Sequence, residues 1–241
     1  MIRLYILVEG DSEERFVHEL LRPHLWRCGI LAAAVRVTTR RDRRRGGPDK
    51  GGLGDYTKPK GDLDRLRRQH AGNDVRFSTM FDLFRLPAGF PGVAETPKDA
   101  TGRARVERLE QALANDVDEW RFVPYLQLHE FEALLLVAPE CFAAYYAGQD
   151  AAVDALLSEV GGRAPEEIND GPQTAPSKRI SRHFPLYDRE KPTASSRIAE
   201  SIGLDRMRET CPHFAAWLAK LEALAGQGDT GASVESAPRT A

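Results

Sequence analysis

Residues 4–21, "LYILVEGDSEERFVHELL", decide the fold. With Ile2 and Arg3 ahead of it, the run of Leu, Tyr, Ile and Val is nearly continuous, which suits a strand covered on both faces. It stops at Glu9 and Gly10. Asp11 reads as a helix N-cap with Glu14 three positions on, a capping-box arrangement, and Phe16, Val17, Leu20, Leu21 and Leu25 recur at helical spacing. Strand, tight Glu-Gly turn and helix follow directly. Four acids, Glu9, Asp11, Glu13 and Glu14, meet at that turn. Like-charged carboxylates raise each other's pKa unless a cation or basic partner sits among them, so positive charge is expected there.

Further strands are predicted over 32–39 ("AAAVRVTT"), 75–84 ("VRFSTMFDLF") and 121–128 ("RFVPYLQL"), with Pro124 near the start of the last. Helices are predicted over about 61–71 and 100–118, the latter from Val106, Leu109, Ala112, Leu113 and Val117. "HEFEALLLV" turns helical again. Between the second strand and the first of these helices, the Gly, Arg and Lys of residues 40–60 have neither apolar periodicity nor β-propensity and read as a long mobile basic loop. From 138 on only helical fragments follow, at 150–160, "SKRISRHF", "SSRIAESI" and "HFAAWLAKLEALA". The expected organisation is an α/β unit over 1–137, a helical extension over 138–225 and a small, polar, disordered tail over 226–241.

The chain has 241 residues, enough for one sizeable core, and a formal net charge of −2, so no global basic bias points to nucleic acid and any polyanion site must be local. Cys28, Cys141 and Cys211 are odd in number and far apart, with no spacing that suits structural zinc. A reducing, cytoplasmic setting is expected. No stretch of about 20 apolar residues supports a signal segment or a membrane span. No P-loop and no G-x-S-x-G elbow occurs.

In an open parallel sheet, sites lie beyond the carboxyl ends of the strands. Glu9, Asp82 and the segment 127–132 all fall at such ends. Glu9 ends a buried strand and Glu13 lies about one turn into the next helix, so both carboxylates can face one point and hold a hard cation. Asp82 stands among Met80, Phe81, Leu83 and Phe84, where a carboxylate costs several kcal/mol unless paired or metal-bound. His129, Glu130 and Glu132 open an almost wholly apolar helix. Glu130 and Glu132 are about 200° apart on a regular helix, so both reach one site only if Glu130 is still in the turn. A loop entering a helix at Pro176, followed by Lys178 and Arg179, suits a phosphate grip. Arg43, Arg44 and Arg45 in the basic loop suit contacts to a phosphate backbone.

Four ordered motifs, "LVEGDSEERFV", "TMFDLFRLP", "VPYLQLHEFEALL" and "INDGPQTAPSKRI", resemble those of a family of uncharacterised bacterial Toprim-like proteins, on the OLD-type nuclease branch, over about residues 1–185. The resemblance implies a Rossmann-like sheet with helices on both faces, Mg²⁺ or Mn²⁺ held by acids, and action on nucleic-acid phosphodiesters. Carried over by motif, Glu9 is the first-motif Glu, Asp82 the first acid of D-x-D and Glu13 the additional helix acid. The second D-x-D acid is replaced by Phe84, unless Glu130 or Glu132 substitutes. OLD-type enzymes join Toprim to an ATPase that this chain lacks, which implies a separate ATPase partner in a bacterial defence-type system. The expected function is a metal-dependent nuclease on DNA or RNA, with Glu9, Asp82, Glu130, Glu132 and Lys178 as its catalytic groups; the alternative is a non-catalytic subunit that senses nucleic acid or nucleotide for an ATPase. Oligomeric state is left open.

Overall fold

The structure is a computed structural model that describes residues 1–37, 53–84, 86–97, 100, 102–168, 171 and 173–228. Arg43, Arg44 and Arg45, with most of the expected basic loop, lie outside the described residues, as does the tail from 229.

Strand β1 (Ile2–Val8) leads through the Glu-Gly turn into α1 (Asp11–Phe16), which continues through a π-helical stretch, Val17–Leu21, into α2 (Arg22–Arg27). Then come β2 (Ile30–Arg36), α3 (Thr57–Gln69), β3 (Val75–Asp82), α4 (Gly102–Val117) and two short strands, β4 (Phe122–Val123) and β5 (Leu126–Gln127). Every pairing is parallel, in the order β2-β1-β3-β4, with β5 also on β3. This is the expected α/β architecture, with β1 central and bonded on both sides.

Alternation along the strands sends residues to two cores. Leu4, Ile6 and Val8 face a core made with Phe16, Leu20 and Leu25 and with the C-terminal helices, whereas Leu7, Phe77 and Phe81 face Leu63, Leu66, Val106, Leu109 and Leu113 of α3 and α4. Helices therefore cover both faces. The C-terminal region comprises α5 (Asp150–Val160), α6 (Pro176–His183), α7 (Tyr187–Ile202), α8 (Leu204–Thr210) and α9 (Pro212–Glu222). It shares the first core: Phe214 of α9 packs on Phe16 at 6.1 Å between ring centroids, and Trp217 Nε1 donates to Ser78 Oγ of β3 at 3.0 Å.

Three local expectations shift. The fourth strand is split, because Pro124 has no N–H to give the ladder. Ser78 and Thr79 hydroxyls bridge the gap: Ser78 Oγ donates to Val123 O at 2.6 Å, and Thr79 Oγ1 donates to Tyr125 O and accepts from Tyr125 N, both at 2.9 Å. The register of Phe77↔Phe122 resumes without a slip at Phe81↔Leu126. The stretch expected as loop to residue 60 ends in helix from Thr57, with Leu53 and Tyr56 buried, because Tyr56 packs edge-on against Phe90 and its hydroxyl donates to Asp116 at 2.6 Å. Finally, "EALLLV" is tighter than an α-helix, a 3-10 helix over Phe131–Val137.

Candidate active site

The carboxyl ends of β1, β3 and β5 lie side by side, and the sheet order reverses between β1 and β3, where open α/β sheets form their crevice. Acids lace these ends together through backbone N–H groups. Glu9 Oε1, just past β1, accepts from Asp82 N at the end of β3 at 2.8 Å. Asp82 Oδ1 accepts from Phe131 N, past β5, at 2.8 Å. Glu130 Oε2 accepts from Ser177 N in the first turn of α6 at 3.0 Å.

The Glu-Gly turn sorts its four acids into two pairs. Asp11 and Glu14 face outward and share Arg36 of β2, at 3.3 Å for Glu14. Glu9 and Glu13 face inward. The capping box is offset by one residue from the sequence reading: Gly10, not Asp11, is the N-cap, and Glu13, not Glu14, reaches back, its Oε2 accepting from Gly10 N at 3.0 Å. Gly10 is extended at φ −146°, so any residue could adopt its backbone; what favours glycine is space, since a Cβ there would stand 3.3 Å from Glu13 Oε2.

Glu132 is placed by a turn that the sequence only allowed. His129 adopts φ +64°, an uncommon left-handed value for a residue with a side chain, and turns the chain out of β5. Its carbonyl accepts from Phe84 N at 2.8 Å, and its Nε2 lies 2.8 Å from Glu166 O, so His129 holds the turn together. Glu130 is therefore extended, still in the turn, and the 3-10 helix begins after it, with Phe131 edge-on against Phe16 at 5.3 Å. Glu132 is 0 % exposed. Its Oε1 accepts from Tyr187 OH at 3.1 Å and pairs with Lys191 Nζ at 2.6 Å, both from α7, which lies against α1; its Oε2 has no hydrogen-bond partner.

The positive charge anticipated at the turn is met by Arg36 for the outward pair, and Lys191 beside Glu132 adds a second cation that escaped the sequence reading. Its signal was the face of α7: Tyr187, Ala194, Ile198 and Ile202 are buried at helical spacing, and Lys191 stands on the same stripe. Its side chain is 36 % exposed, so the acid cluster reaches solvent beside it.

One lysine does not balance the cluster. Burial, reinforced by the charge of Glu13, pushes the Glu9 carboxyl up to about 8, against the hydrogen bond from Asp82 N and the charge of Lys191. Burial, then Glu9, Glu13 and Glu132, hold Asp82 well above the usual carboxylate range. Glu13 is raised by burial and by Glu132. For Lys191, burial works against the charge, but Glu132, Asp82 and Glu13 outweigh it and lift the ammonium above its ordinary value.

The remaining expected residues divide. Lys178 is exposed in the first turn of α6. Arg179 does not join it as a phosphate grip: it is 4 % exposed, donates to Thr174 O at 2.8 Å and pairs with Glu159 at 2.7 Å. Glu159 also takes Arg182 and His183, a basic cluster that this one acid gathers against α5. The α6 N-terminus likewise presents Ser177 N to the Glu130 carboxylate. Nor do Glu9, Glu13 and Asp82 close on one point: among the described residues, the one set of three possible metal-binding side chains whose ligand atoms all lie within 4.8 Å of one another is His24, Cys28 and Glu222. Each of the three acids instead accepts from a backbone N–H group.

The fold and this site define an α/β protein with a partly buried carboxylate cluster at the carboxyl ends of a parallel sheet. A family model described as a domain of unknown function, DUF4276, matches residues 8–222, and the chain belongs to that family. Among solved structures, it is similar to two of the C-terminal region of the OLD protein from Xanthomonas campestris pv. campestris. The one phased with iodine is 16 % identical, with 94 % of this chain and 97 % of that chain covered at a TM-score of 0.46. The one phased with mercury is 16 % identical, with 95 % and 97 % covered at a TM-score of 0.40. Likeness that slight assigns neither an activity nor a site. No curated protein matches the chain. No helix among the described residues is long and apolar enough to cross a membrane.

Proposed function

We propose that the chain is a metal-dependent phosphodiesterase acting on DNA or RNA, with its active site at the carboxyl ends of β1, β3 and β5. The observation that carries this reading is the convergence of Glu9 and Asp82, laced through the backbone N–H groups of Asp82 and Phe131, beside the buried Glu132–Lys191 pair at the point where the sheet order reverses. The chemistry of this donor set suits a hard divalent cation, toward which the carboxylates would have to close: all ligands are oxygens, Glu132 Oε2 is buried without a partner, and burial raises the Glu9 and Asp82 carboxyls. Glu9, Glu13 and Asp82 would hold Mg²⁺ or Mn²⁺, which when bound supplies Lewis-acid polarisation of a phosphodiester and an acidified water.

The chain's own groups do the rest. Glu9, with its carboxyl near 8, releases a proton when a cation enters. Lys191, charged and partly exposed, offers an ammonium to a phosphate oxygen while its contact with Glu132 fixes its position. Glu130 and Glu132 frame the site, and Lys178 meets the nucleic-acid backbone nearby. The Toprim resemblance of the four motifs supports the same reading and implies a separate ATPase chain as partner.

A second reading has its own support. Each of Glu9, Glu13 and Asp82 already serves a backbone N–H, and Phe84 stands where a second acid would complete D-x-D. On that reading the domain binds nucleic acid or nucleotide without turnover and signals to an ATPase. Single- and double-stranded DNA and RNA offered with Mn²⁺ or Mg²⁺ separate the two. Cleavage by the wild type that Glu9→Gln abolishes, with the fold intact by circular dichroism, is expected. Cleavage at full rate in that variant overturns the nuclease reading, and tight metal-independent binding without cleavage moves the sensor reading ahead.

A further inference from the structure

At the opposite end of β1, a second group of side chains converges with quite different chemistry. His24 and Cys28 are four residues apart where α2 ends, and so share one face of that helix. The turn after them returns directly to the sheet, Ile2 N donating to Gly29 O at 3.1 Å. The third member, Glu222, is the last residue of α9, and its Oε1 lies 2.5 Å from His24 Nε2. Ligand atoms of all three lie within 4.8 Å of one another, and all three side chains are half-buried. Cys28 is a free thiol.

We propose that His24, Cys28 and Glu222 form a binding site for a borderline transition-metal ion, Zn²⁺ being the natural occupant, that ties α2 to α9. The donor set decides the ion: nitrogen, sulfur and oxygen suit Zn²⁺ and not Mg²⁺, which takes oxygens alone. In a tetrahedral site with bonds of about 2.0–2.3 Å, neighbouring ligand atoms stand roughly 3.3–3.8 Å apart, so the trio needs adjustments of about an ångström. His24 and Glu222 move slightly apart and Cys28 moves in. Binding releases the Cys28 thiol proton and leaves a thiolate on the metal, while neutral His24 gives its Nε2 lone pair. Arg208, which also pairs with Glu222 Oε1, is the competing cation and either shifts or remains on the carboxylate as its outer partner. Three protein ligands leave a fourth position for water or an incoming group.

The sequence concealed this site because two ligands are close in the chain and the third is 198 residues from His24. It gives α9, whose Trp217 and Phe214 pack on the sheet and on α1, a metal-dependent anchor to the N-terminal helices.

Co²⁺ added to the full, reduced, metal-stripped chain is the direct probe. One equivalent is expected to give a near-ultraviolet sulfur-to-cobalt charge-transfer band that Zn²⁺ quenches and Mg²⁺ does not. Cys28→Ser removes the band, whereas buried Cys141 and Cys211 remain in that variant. His24→Ala and Glu222→Gln each weaken Zn²⁺ binding at least about tenfold. Glu9→Gln, at the other end of β1, leaves the band unchanged, which separates this site from the proposed active site. No band in the wild type, a band that survives Cys28→Ser, or Zn²⁺ affinity unaltered in both ligand variants overturns the proposal.

Discussion

The two ends of the sheet treat charge in opposite ways. At the amino-terminal edge acids meet arginines: Asp74 pairs with Arg3 at 3.0 Å, and Glu119 with Arg121 at 2.8 Å and Arg67 at 3.1 Å. Arg121 spends its remaining donor on His70 O and Gly72 O, and its hydrogen bonds hold the Glu119 carboxyl down at about 2 despite burial. At the carboxyl edge Arg36 takes the outward Asp11 and Glu14, but inside it Lys191 pairs with Glu132 while burial holds Glu9 and Asp82 high. Matched charges are a means of holding a fold together. Unmatched ones cost stability, and their concentration at the crevice between β1 and β3 is what the proposed cation would relieve.

Substitutions at each end should separate these roles, the largest effect coming from the matched one. Arg121→Ala leaves Glu119 on Arg67 alone and strips two carbonyls of a donor; a loss of about 3–5 kcal/mol in urea unfolding is expected, with Mn²⁺ affinity unchanged. If Mn²⁺ affinity fell as steeply as stability, the two ends would not be independent. Lys191→Met abandons Glu132, which is fully buried, and should cost about 3 kcal/mol in chelator, much of it recovered on adding Mn²⁺. No recovery would mean that Lys191 is structural and that no cation can replace it.

A pH titration sharpens the contrast further. Because the Glu9 carboxyl is raised in the fold, the folded protein holds a proton that the unfolded chain releases. Its contribution to stability is full below the unfolded value near 4.5 and is lost as pH rises through about 8. Metal-free protein should therefore weaken between those limits, and Glu9→Gln should flatten the slope. Glu119, lowered to about 2, behaves oppositely: its contribution is present above its unfolded value and is lost only as pH falls toward 2. The smallest expected effect is that of Gly10→Ala, whose Cβ crowds Glu13 Oε2 at 3.3 Å; stability should change by under about 1 kcal/mol while Mn²⁺ affinity drops a few-fold.

The sequence disclosed what is local. A strand-ending Glu before Gly and an Asp inside an apolar run were legible as acids gathered at the carboxyl ends of the sheet because both break a pattern within ten residues. Alternation of strands and helices was enough for the α/β sheet. What it could not disclose depends on partners far along the chain. Arg179 looked free for phosphate, but Glu159, one helix earlier, had already claimed it. Free N–H groups at α6 looked available, but Glu130 sits on Ser177 N. Lys191 lies 59 residues beyond Glu132 on a helix read only from its second half, so its position on the apolar stripe went unseen. The capping box slipped by one residue because Asp11 and Gly10 are both acceptable N-caps, and Arg36, a tertiary partner, draws Asp11 outward.

On the proposed function, the acids at the strand ends await a divalent cation. Calorimetry of Mn²⁺ binding at pH 7, for the wild type beside Glu9→Gln and Asp82→Asn, tests it most directly. Binding by the wild type with measurable proton release is expected, and its loss in both variants while thermal unfolding stays cooperative. Absence of binding by the wild type, or equal binding in all three, would contradict it and leave the acids as the backbone caps that Asp82 N, Phe131 N and Gly10 N make of them.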